Sequence, residues 1–248
     1  MLVRPPADRP LLDDIYRLAE DFAEIVSDPP AEARVIDLRD FAFDPTFRGV
    51  SMIDYFLRRL GLDPAEVPTA LKRNEWLAPR MAPLKAGALP VGTILVCPLA
   101  SMALRDMPDD VHRRILRQLL RVQPHGVATQ GACQPDPRVI GVPRLESFAQ
   151  LCALVASAAA VISTDTAIVH LADAFSIPCL GFFTTHRPEW RIRDYPLARG
   201  LYLPPLELPE ALEFSRGTQD LASIAAAWRR GAEAIEAGVA TFAHDVRL

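Results

Sequence analysis

Hydrophobic and polar positions alternate regularly from residue 93 to residue 183. Short apolar runs there are separated by segments whose apolar residues recur at helical spacing. The runs predict strands at 93–100, 125–130, 138–142, 159–164 and 177–183. The segments between them predict helices at 108–122, 145–157 and 165–175. Strands that are apolar on both faces and alternate with helices indicate an α/β fold with a parallel sheet covered by helices.

The two ends of the chain follow other patterns. Helical spacing predicts helices over 11–26 and 50–62, with Gly61 ending the second one. The apolar stretch 33–38 predicts a short buried strand. At the other end, residues 220–242 predict one long helix. Between the N-terminal part and the alternating part, proline and glycine interrupt any periodicity, which predicts a linker.

Composition and charge narrow the class of protein. The chain has 248 residues, half of them hydrophobic, with 27 basic and 31 acidic residues and a net charge of −4. No apolar stretch reaches the roughly 18–20 residues of a membrane span, and we expect no secretion signal. No basic run suggests nucleic-acid binding. Four cysteines without CxxC spacing indicate a reduced, cytoplasmic chain with no disulfide framework and no zinc site.

Ligands of open α/β sheets bind beyond the carboxyl ends of the strands, so the loops after the predicted strands are candidate binding sites. The loop 97–108 offers the hydroxyl of Ser101 and the fixed positive charge of Arg105. A hydroxyl and a guanidinium together suit a phosphate. An ordinary turn with a solvated arginine is the alternative interpretation, and spacing alone leaves it open.

The stretch 163–167 opens a predicted helix with small polar residues. A helix start carries unpaired N–H groups and a partial positive charge, so a phosphate fits there. Capping by Thr164 or Asp165 is the simpler alternative. Asp165 would repel a phosphate and is better suited to accept sugar hydroxyls. His170 can face the same side as Thr166 and donate to a phosphate, or it can be a packed, hydrogen-bonded core histidine.

The third loop, residues 182–196, follows the last predicted strand of this region. It contains Thr184 and Thr185, one histidine and three arginines. Hydroxyls and cations at this edge of the sheet would suit an anionic ligand, and a charged surface loop is the alternative.

Two sequence stretches carry a resemblance to a known family. "LVCPLASMALRDMP" and "LESFAQLCALVASAAAVISTDTAIVHLADAFSIPCLGFF", followed by the threonine-containing loop, resemble glycosyltransferase family 9, the ADP-heptose:lipopolysaccharide heptosyltransferases. In that family the second stretch has a characteristic pattern: Asp-Ser/Thr-Gly/Ala, two variable residues, His-Leu-Ala, a helix of small residues, a proline and a strand. The resemblance covers residues 93–196 and corresponds to the nucleotide-sugar-binding half of the family.

The resemblance implies a GT-B-like architecture, in which two Rossmann-type domains face each other and the C-terminal one binds the donor. It implies a truncated acceptor-side α/β region at 1–82, a linker at 83–92, a nucleotide-sugar-binding Rossmann-like domain at 93–205 and a C-terminal helical segment at 206–248. The N-terminal part is the smaller and incomplete one, because the family's glycine-rich strand–loop–helix is absent from this sequence.

The resemblance also implies roles for single residues. Ser101 matches a phosphate-contacting hydroxyl, Arg105 replaces a lysine that neutralises the diphosphate, and Asp165 matches the acid that contacts the donor sugar. The expected substrate-binding residues are Ser101, Arg105, Thr164, Asp165, Thr166, Ala167, His170, Thr184 and Thr185. The implied chemistry is inverting sugar transfer from a nucleoside diphosphate sugar without a metal or other cofactor.

The catalytic residue remains unknown at this point. The family takes its base, a carboxylate, from the N-terminal domain, and Asp13 and Asp14 lack the glycines that precede it there. Asp37, Asp40 and Asp44 are the remaining strand-end candidates.

Three functions therefore stay open. They are a glycosyltransferase transferring a heptose-like sugar to a lipopolysaccharide or other glycan, a catalytically incomplete nucleotide-sugar-binding relative, and a GT-B-fold nucleotide-sugar epimerase. For the first, the expected partners are an ADP-sugar and a glycan or lipid-linked acceptor, with no nucleic acid. The expected location is the cytoplasm, and a peripheral contact with the inner face of the membrane stays open.

Overall fold

A computed structural model gives the structure of the chain. It describes residues 2–3, 10–20, 23–38, 41–81, 89–122, 126–131, 136–210, 212 and 217–246. The strands are β1 (Leu2–Val3), β2 (Ile25–Val26), β3 (Ile94–Cys97), β4 (Val127–Gln130), β5 (Val139–Val142), β6 (Ala160–Thr164), β7 (Cys179–Phe183) and β8 (Ala198–Tyr202). The helices are α1 (Pro10–Ala19), α2 (Met52–Arg59), α3 (Asp109–Val122), α4 (Phe148–Ser157), α5 (Ala167–Ala174), α6 (Pro188–Ile192), α7 (Thr218–Arg230) and α8 (Ala232–Asp245).

Strands β3 to β8 form one sheet in the order β5-β4-β3-β6-β7-β8, and every neighbouring pair is parallel. Alternate residues of each strand enter opposite cores. Ile162 packs with Trp228 of α7 on one face, whereas Val161 packs with Cys152 of α4 on the other. This arrangement confirms the predicted α/β class with a Rossmann-type parallel sheet, and it explains why the strands are apolar on both faces.

The strand order creates a switch point beside β3. The chain runs from β3 outward to β4 and β5, and then returns to add β6 on the other side of β3. The loops after β3 and β6 therefore lead in opposite directions, and in doubly wound sheets this arrangement forms a crevice between the carboxyl ends of the two strands. Doubly wound sheets bind their ligands in such a crevice.

The N-terminal part differs from the prediction in two respects. Residues 34–38 form no strand, so the strand predicted at 33–38 is wrong, and Val35 is largely exposed. A parallel pair of two-residue strands, β1 and β2, is present instead. The helix predicted over 11–26 ends at Ala19, because part of its apolar pattern belongs to β2.

Helix α2 ends as predicted at Gly61. The Gly61 N–H bonds to the carbonyl of Arg58, and the Leu62 N–H bonds to that of Leu57. Gly61 has φ +81°, the left-handed conformation that this C-terminal motif requires and that glycine adopts without a Cβ clash. At the C-terminus, the single helix predicted over 220–242 is instead two helices. They meet at Gly231, where a Cβ would lie 2.4 Å from Leu203 Cδ2.

Residues 41–74 pack against the sheet region. Phe47 and Tyr55 form an aromatic cluster with Trp190 of α6. Asp54 binds Arg193 at 2.6 Å and Lys72 at 2.8 Å. The predicted division into domains stays a prediction, and residues 83–88 of the predicted linker lie outside the described residues.

Two further features bear on the sequence expectations. None of the helices among the described residues combines the length and the hydrophobicity needed to cross a membrane. Cys97, Cys152 and Cys179 are buried free thiols. Burial raises the pKa of both Cys152 and Cys179 to about 12, so these thiols are unreactive at neutral pH. Cys133 lies outside the described residues.

Gly200 of β8 is expected to be intolerant of a side chain. A Cβ there would lie 2.2 Å from Pro188 Cβ and 2.7 Å from Pro188 Cγ, and a proline ring cannot rotate away. Gly200→Ala should therefore push α6 off the sheet and cost about 1–3 kcal/mol of unfolding free energy. Gly238→Ala is the matched control, because it has nothing within 4 Å and lies within α8. Urea denaturation should show a gain of up to about 1 kcal/mol for this control, and equal effects of the two substitutions would contradict the prediction.

Candidate functional site

Four charged or ionisable side chains meet beyond the carboxyl ends of β3, β6 and β7. Asp165 follows β6 directly, Arg105 comes from the loop after β3, His186 follows β7, and Arg191 lies on α6. One carboxylate oxygen, Asp165 Oδ2, lies 3.5 Å from Arg191 Nε, 3.9 Å from Arg105 Nη1 and 3.9 Å from His186 Nδ1. The switch point of the sheet therefore carries a cluster of two guanidinium groups, an imidazole and a single carboxylate.

The cluster is largely desolvated. The side chains of His186, Asp165 and Arg191 are 0%, 4% and 5% exposed, and that of Arg105 is 15% exposed. The described residues place the two guanidinium groups and the imidazole around the carboxylate of Asp165. Asp165 Oδ2 accepts no hydrogen bond from any described residue, although three basic groups stand within 4 Å. Guanidinium groups bind phosphate oxygens through charge-assisted hydrogen bonds, so an anionic ligand suits this cluster.

The start of helix α5 adds to this positive character. Its N-cap is Thr166, which makes no side-chain hydrogen bond to the helix. The interpretation that Thr164 or Asp165 caps the helix is wrong, because Thr164 belongs to β6 and Asp165 lies in the following turn. Thr164 Oγ1 is buried and has no hydrogen-bond partner among the described residues. Ala167 is exposed at the first helical position, so an anion can approach the N–H groups of the first turn.

Three other predicted site residues, Ser101, Thr184 and Thr185, make contacts within or between the loops after β3 and β7. Ser101 is exposed, and its Oγ lies 3.4 Å from Arg105 Nη2. Thr184 Oγ1 donates to the carbonyl of Leu104 at 3.0 Å and so joins the loops after β3 and β7. Thr185 Oγ1 lies 3.2 Å from His186 Nδ1. Thr184 and Thr185 are both buried, so they hold the arginine- and histidine-bearing loops in place.

His170 is packed and hydrogen-bonded in the structure, and its contact with a ligand stays a prediction. Its Nδ1 lies 2.7 Å from the hydroxyl of Tyr195. Burial is the main cause that lowers the pKa of His170 to about 4, so the ring is neutral at pH 7. The charges of Asp165, Arg191 and Arg105 also act on its pKa, which indicates that the ring lies close to the charged cluster.

His186 and Arg191 were not singled out from the sequence. The loop 182–196 showed a histidine and several arginines, but helical spacing did not reveal the five-residue helix α6. That helix turns Arg191 toward Asp165, while Arg187 pairs with Glu210 and Arg193 with Asp54. The sequence alone does not distinguish Arg191, which lies beside Asp165, from Arg187 and Arg193, which make other ion pairs.

The candidate carboxylates of the N-terminal part have structural partners. Asp44 accepts from Thr46 N at 2.9 Å and from the Tyr55 hydroxyl at 2.8 Å, and its hydrogen bonds with Thr46 and Tyr55 lower its pKa. Asp14 Oδ2 accepts from the N–H of Phe148 at the start of α4. Asp37 is exposed. Asp40, and the side chain of Asp13, lie outside the described residues.

A cavity of about 480 Å³ opens on the same edge of the sheet, beyond β4 and β5. Its lining is mostly aliphatic, with Gln130 and Arg144 as polar groups and Leu99 supplied by the loop after β3. Among the described residues, no group of three or more His, Cys, Asp or Glu side chains is arranged to hold a metal ion. The edge of the sheet thus combines a cationic crevice with an adjoining apolar cavity.

These features define a doubly wound α/β region with a cluster of basic side chains around one aspartate at its switch point. Residues 132–201 match the family profile described as glycosyltransferase family 9 (heptosyltransferase). The resemblance read from the sequence is thereby confirmed for this segment, which includes Asp165, His170, His186 and Arg191. No curated protein matches the chain.

Solved structures similar to this chain include E. coli heptosyltransferase WaaC with ADP, at 15% identity and a TM-score of 0.45, covering 60% of this chain and 48% of that one. E. coli WaaC with ADP-2-deoxy-2-fluoro heptose gives 13% identity and a TM-score of 0.45, covering 73% and 53%. E. coli ADP-heptose lps heptosyltransferase II gives 15% identity and a TM-score of 0.41, covering 72% and 51%. The chain spans about half the length of these proteins.

Proposed function

We propose that the crevice binds a nucleoside diphosphate sugar and serves as the donor site of a glycosyltransferase. The observation that carries this proposal is the buried cluster in which Arg105, His186 and Arg191 surround Asp165 beside the uncapped start of α5. Two guanidinium groups beside a helix start are suited to bind the oxygens of a diphosphate. The family profile that spans β6 and β7 supports the same assignment.

The proposed roles of the residues follow from their chemistry. The two guanidinium groups and the helix start bind the diphosphate and stabilise its charge as it becomes the leaving group. Asp165 Oδ2, which has no hydrogen bond, accepts hydroxyls of the donor sugar. The aliphatic cavity beyond β4 and β5 is suited to a nucleobase, and the family resemblance favours adenine. Inverting transfer of a heptose-like sugar to a lipopolysaccharide or other glycan completes the proposal, and a lipid-linked acceptor would bring the protein to the cytoplasmic face of the membrane.

A second candidate is a nucleotide-sugar-binding protein that lacks its own base. The engagement of Asp44, one of the three candidate bases, in structural hydrogen bonds favours it. The two candidates share the donor site and differ in turnover. Release of nucleoside diphosphate from an ADP-sugar in the presence of a glycan acceptor would support the transferase, and tight binding without turnover would support the second candidate.

Calorimetric titration with ADP, UDP and GDP tests the donor site itself. We expect at least one of them to bind, and Arg105→Ala should weaken that binding by about 1–3 kcal/mol because a charge-assisted hydrogen bond to phosphate is lost. Arg117→Ala is the control, because Arg117 is exposed on α3 and bonds only to a carbonyl of its own helix. Failure of all three nucleotides to bind, or an equal loss in both variants, would overturn the proposal.

A further inference from the structure

A chain of hydrogen bonds runs from the N-terminal part of the protein to His170. The side-chain Nδ2 of Asn74 lies 2.8 Å from the Tyr195 hydroxyl, which lies 2.7 Å from His170 Nδ1. Asn74 Nδ2 also donates to Asp173 Oδ2 at 3.1 Å. A carboxylate accepts hydrogen bonds, so this second contact identifies the amide nitrogen as the atom that faces both partners.

The direction of each bond in this chain is thereby fixed. Asn74 donates to the hydroxyl oxygen of Tyr195, which leaves the hydroxyl hydrogen for His170 Nδ1. Burial raises the pKa of Tyr195 to about 12, so that hydrogen is retained at neutral pH. An Nδ1 that accepts a hydrogen bond belongs to a neutral ring with its own hydrogen on Nε2. Among the described residues the hydrogen bond of the His170 ring is made by Nδ1 and none is made by Nε2, which leaves the Nε2–H available to a ligand.

The chain of hydrogen bonds is anchored on the helix that begins at the crevice. Asp173 lies in the last turn of α5, with a side chain 1% exposed. It accepts from the backbone N–H of Asn74 at 2.8 Å and from Arg73 Nε at 3.0 Å. Residues 73 and 74 are therefore held against α5 by three hydrogen bonds to one buried carboxylate. The placement of Asn74 depends on this contact.

We propose that Asn74 and Tyr195 are positioning residues that hold His170 as the Nε2–H tautomer, so that contact of residues 73–74 with α5 regulates the hydrogen-bonding state of the anion crevice. The charged groups around the ring are Asp165, Arg191, Asp173 and Arg105. A neutral Nε2–H donor contacts a phosphate or hydroxyl oxygen without adding a third full charge beside the two arginines. The effect on ligand binding rests on the proposed function, whereas the tautomer of His170 does not.

Long-range ¹H–¹⁵N correlation spectra of the ¹⁵N-labelled full chain at pH 7 test the proposal. The two tautomers differ in the chemical shifts of Nδ1 and Nε2, and His170→Gln assigns the signal among the five histidines. We expect the wild-type protein to show the Nε2–H form alone. Tyr195→Phe removes the donor to Nδ1, and Asn74→Ala removes the contact that directs the Tyr195 hydroxyl, so both variants should show a mixture of tautomers.

Tyr202→Phe is the matched control, because Tyr202 lies on β8 and stacks with Arg187 without contacting His170. It should leave the tautomer unchanged. Tyr195→Phe should also weaken ADP binding by about two- to tenfold, the range of one neutral hydrogen bond. An Nδ1–H ring or an imidazolium in the wild-type protein, or an unchanged tautomer in both variants, would overturn the inference. Absence of ADP binding to the wild-type protein would overturn the proposed function and leave the tautomer result to decide this inference.

Discussion

Substitution of Asp165 by asparagine is expected to lower the free energy of unfolding by about 3–5 kcal/mol, the usual cost of breaking a buried ion pair. The substitution conserves shape and removes only the negative charge. Arg191 and His186 then remain almost fully buried beside Arg105 without the carboxylate of Asp165. Urea denaturation followed by tryptophan fluorescence measures the loss.

The same substitution tests the binding of the diphosphate and the binding of the sugar separately. Removal of the carboxylate eliminates its repulsion of phosphate, so ADP should bind Asp165→Asn at least as tightly as it binds the wild-type protein. Saturating ADP should also restore part of the lost stability, because a ligand that binds only the folded state stabilises it by mass action. Any preference for an ADP-sugar over ADP should disappear, since Asp165 is the proposed acceptor for the sugar hydroxyls.

Asp136→Asn provides the comparison for this experiment. Asp136 pairs with Arg138 on the surface, and exposed pairs contribute about 0–1 kcal/mol. If Asp165→Asn has the same free energy of unfolding as the wild-type protein, the cluster is not a buried charge centre. Loss of ADP binding in a variant that remains folded would show that Asp165 contributes to the phosphate site and not to the sugar site.

The sheet was predictable from the sequence because its strands are buried on both faces. In runs such as 159–164 only the last two residues, Ser163 and Thr164, are polar, and the intervening helices have amphipathic spacing. The edge strand β8 was not predicted, because it contains Arg199 and Gly200 and is largely exposed. The strand predicted at 33–38 illustrates the opposite error. A short apolar run forms a strand only where a partner is present, and residues 34–38 pair with none of the described strands.

Only those site residues that stand in loops after predicted strands could be predicted from the sequence. Asp165 and Arg105 stand in loops that any parallel sheet brings to one edge, so spacing and motif were sufficient to propose them. Arg191 joins them through a five-residue helix that carries no periodic signal. The contact of Tyr195 with His170 and that of Asn74 with Tyr195 depend on tertiary packing between distant segments, which a single sequence does not reveal.

Substitution of Asp54 by alanine is expected to have the second-largest effect on stability, about 3 kcal/mol. Asp54 accepts from Lys72 Nζ at 2.8 Å and from two nitrogens of Arg193 at 2.6 and 3.1 Å. The Lys72 side chain is 9% exposed, so removal of the carboxylate leaves a buried ammonium without this partner. The contact also holds α2 beside α6, where Met52 Sδ lies 3.0 Å from Arg191 Nη1. The variant should therefore bind ADP more weakly as well.

The pH dependence of stability provides an independent test of the Asp54 contacts. Hydrogen bonding from Arg193 is the leading cause that lowers the pKa of Asp54 from 3.8 to about 2. A carboxyl whose folded-state pKa is depressed contributes stability that is full above its unfolded-state pKa and is lost as the pH falls through the folded-state value. Wild-type protein should thus lose about 1–2 kcal/mol from this group between about pH 4 and pH 2, after allowance for the partial exposure of Arg193. Asp54→Ala should lack this component, whereas Asp245→Ala, which removes an exposed pair with Arg199, should retain it. Identical pH profiles for wild type and Asp54→Ala would mean that α2 is held to α6 by the aromatic cluster of Phe47, Tyr55 and Trp190 and not by this carboxylate.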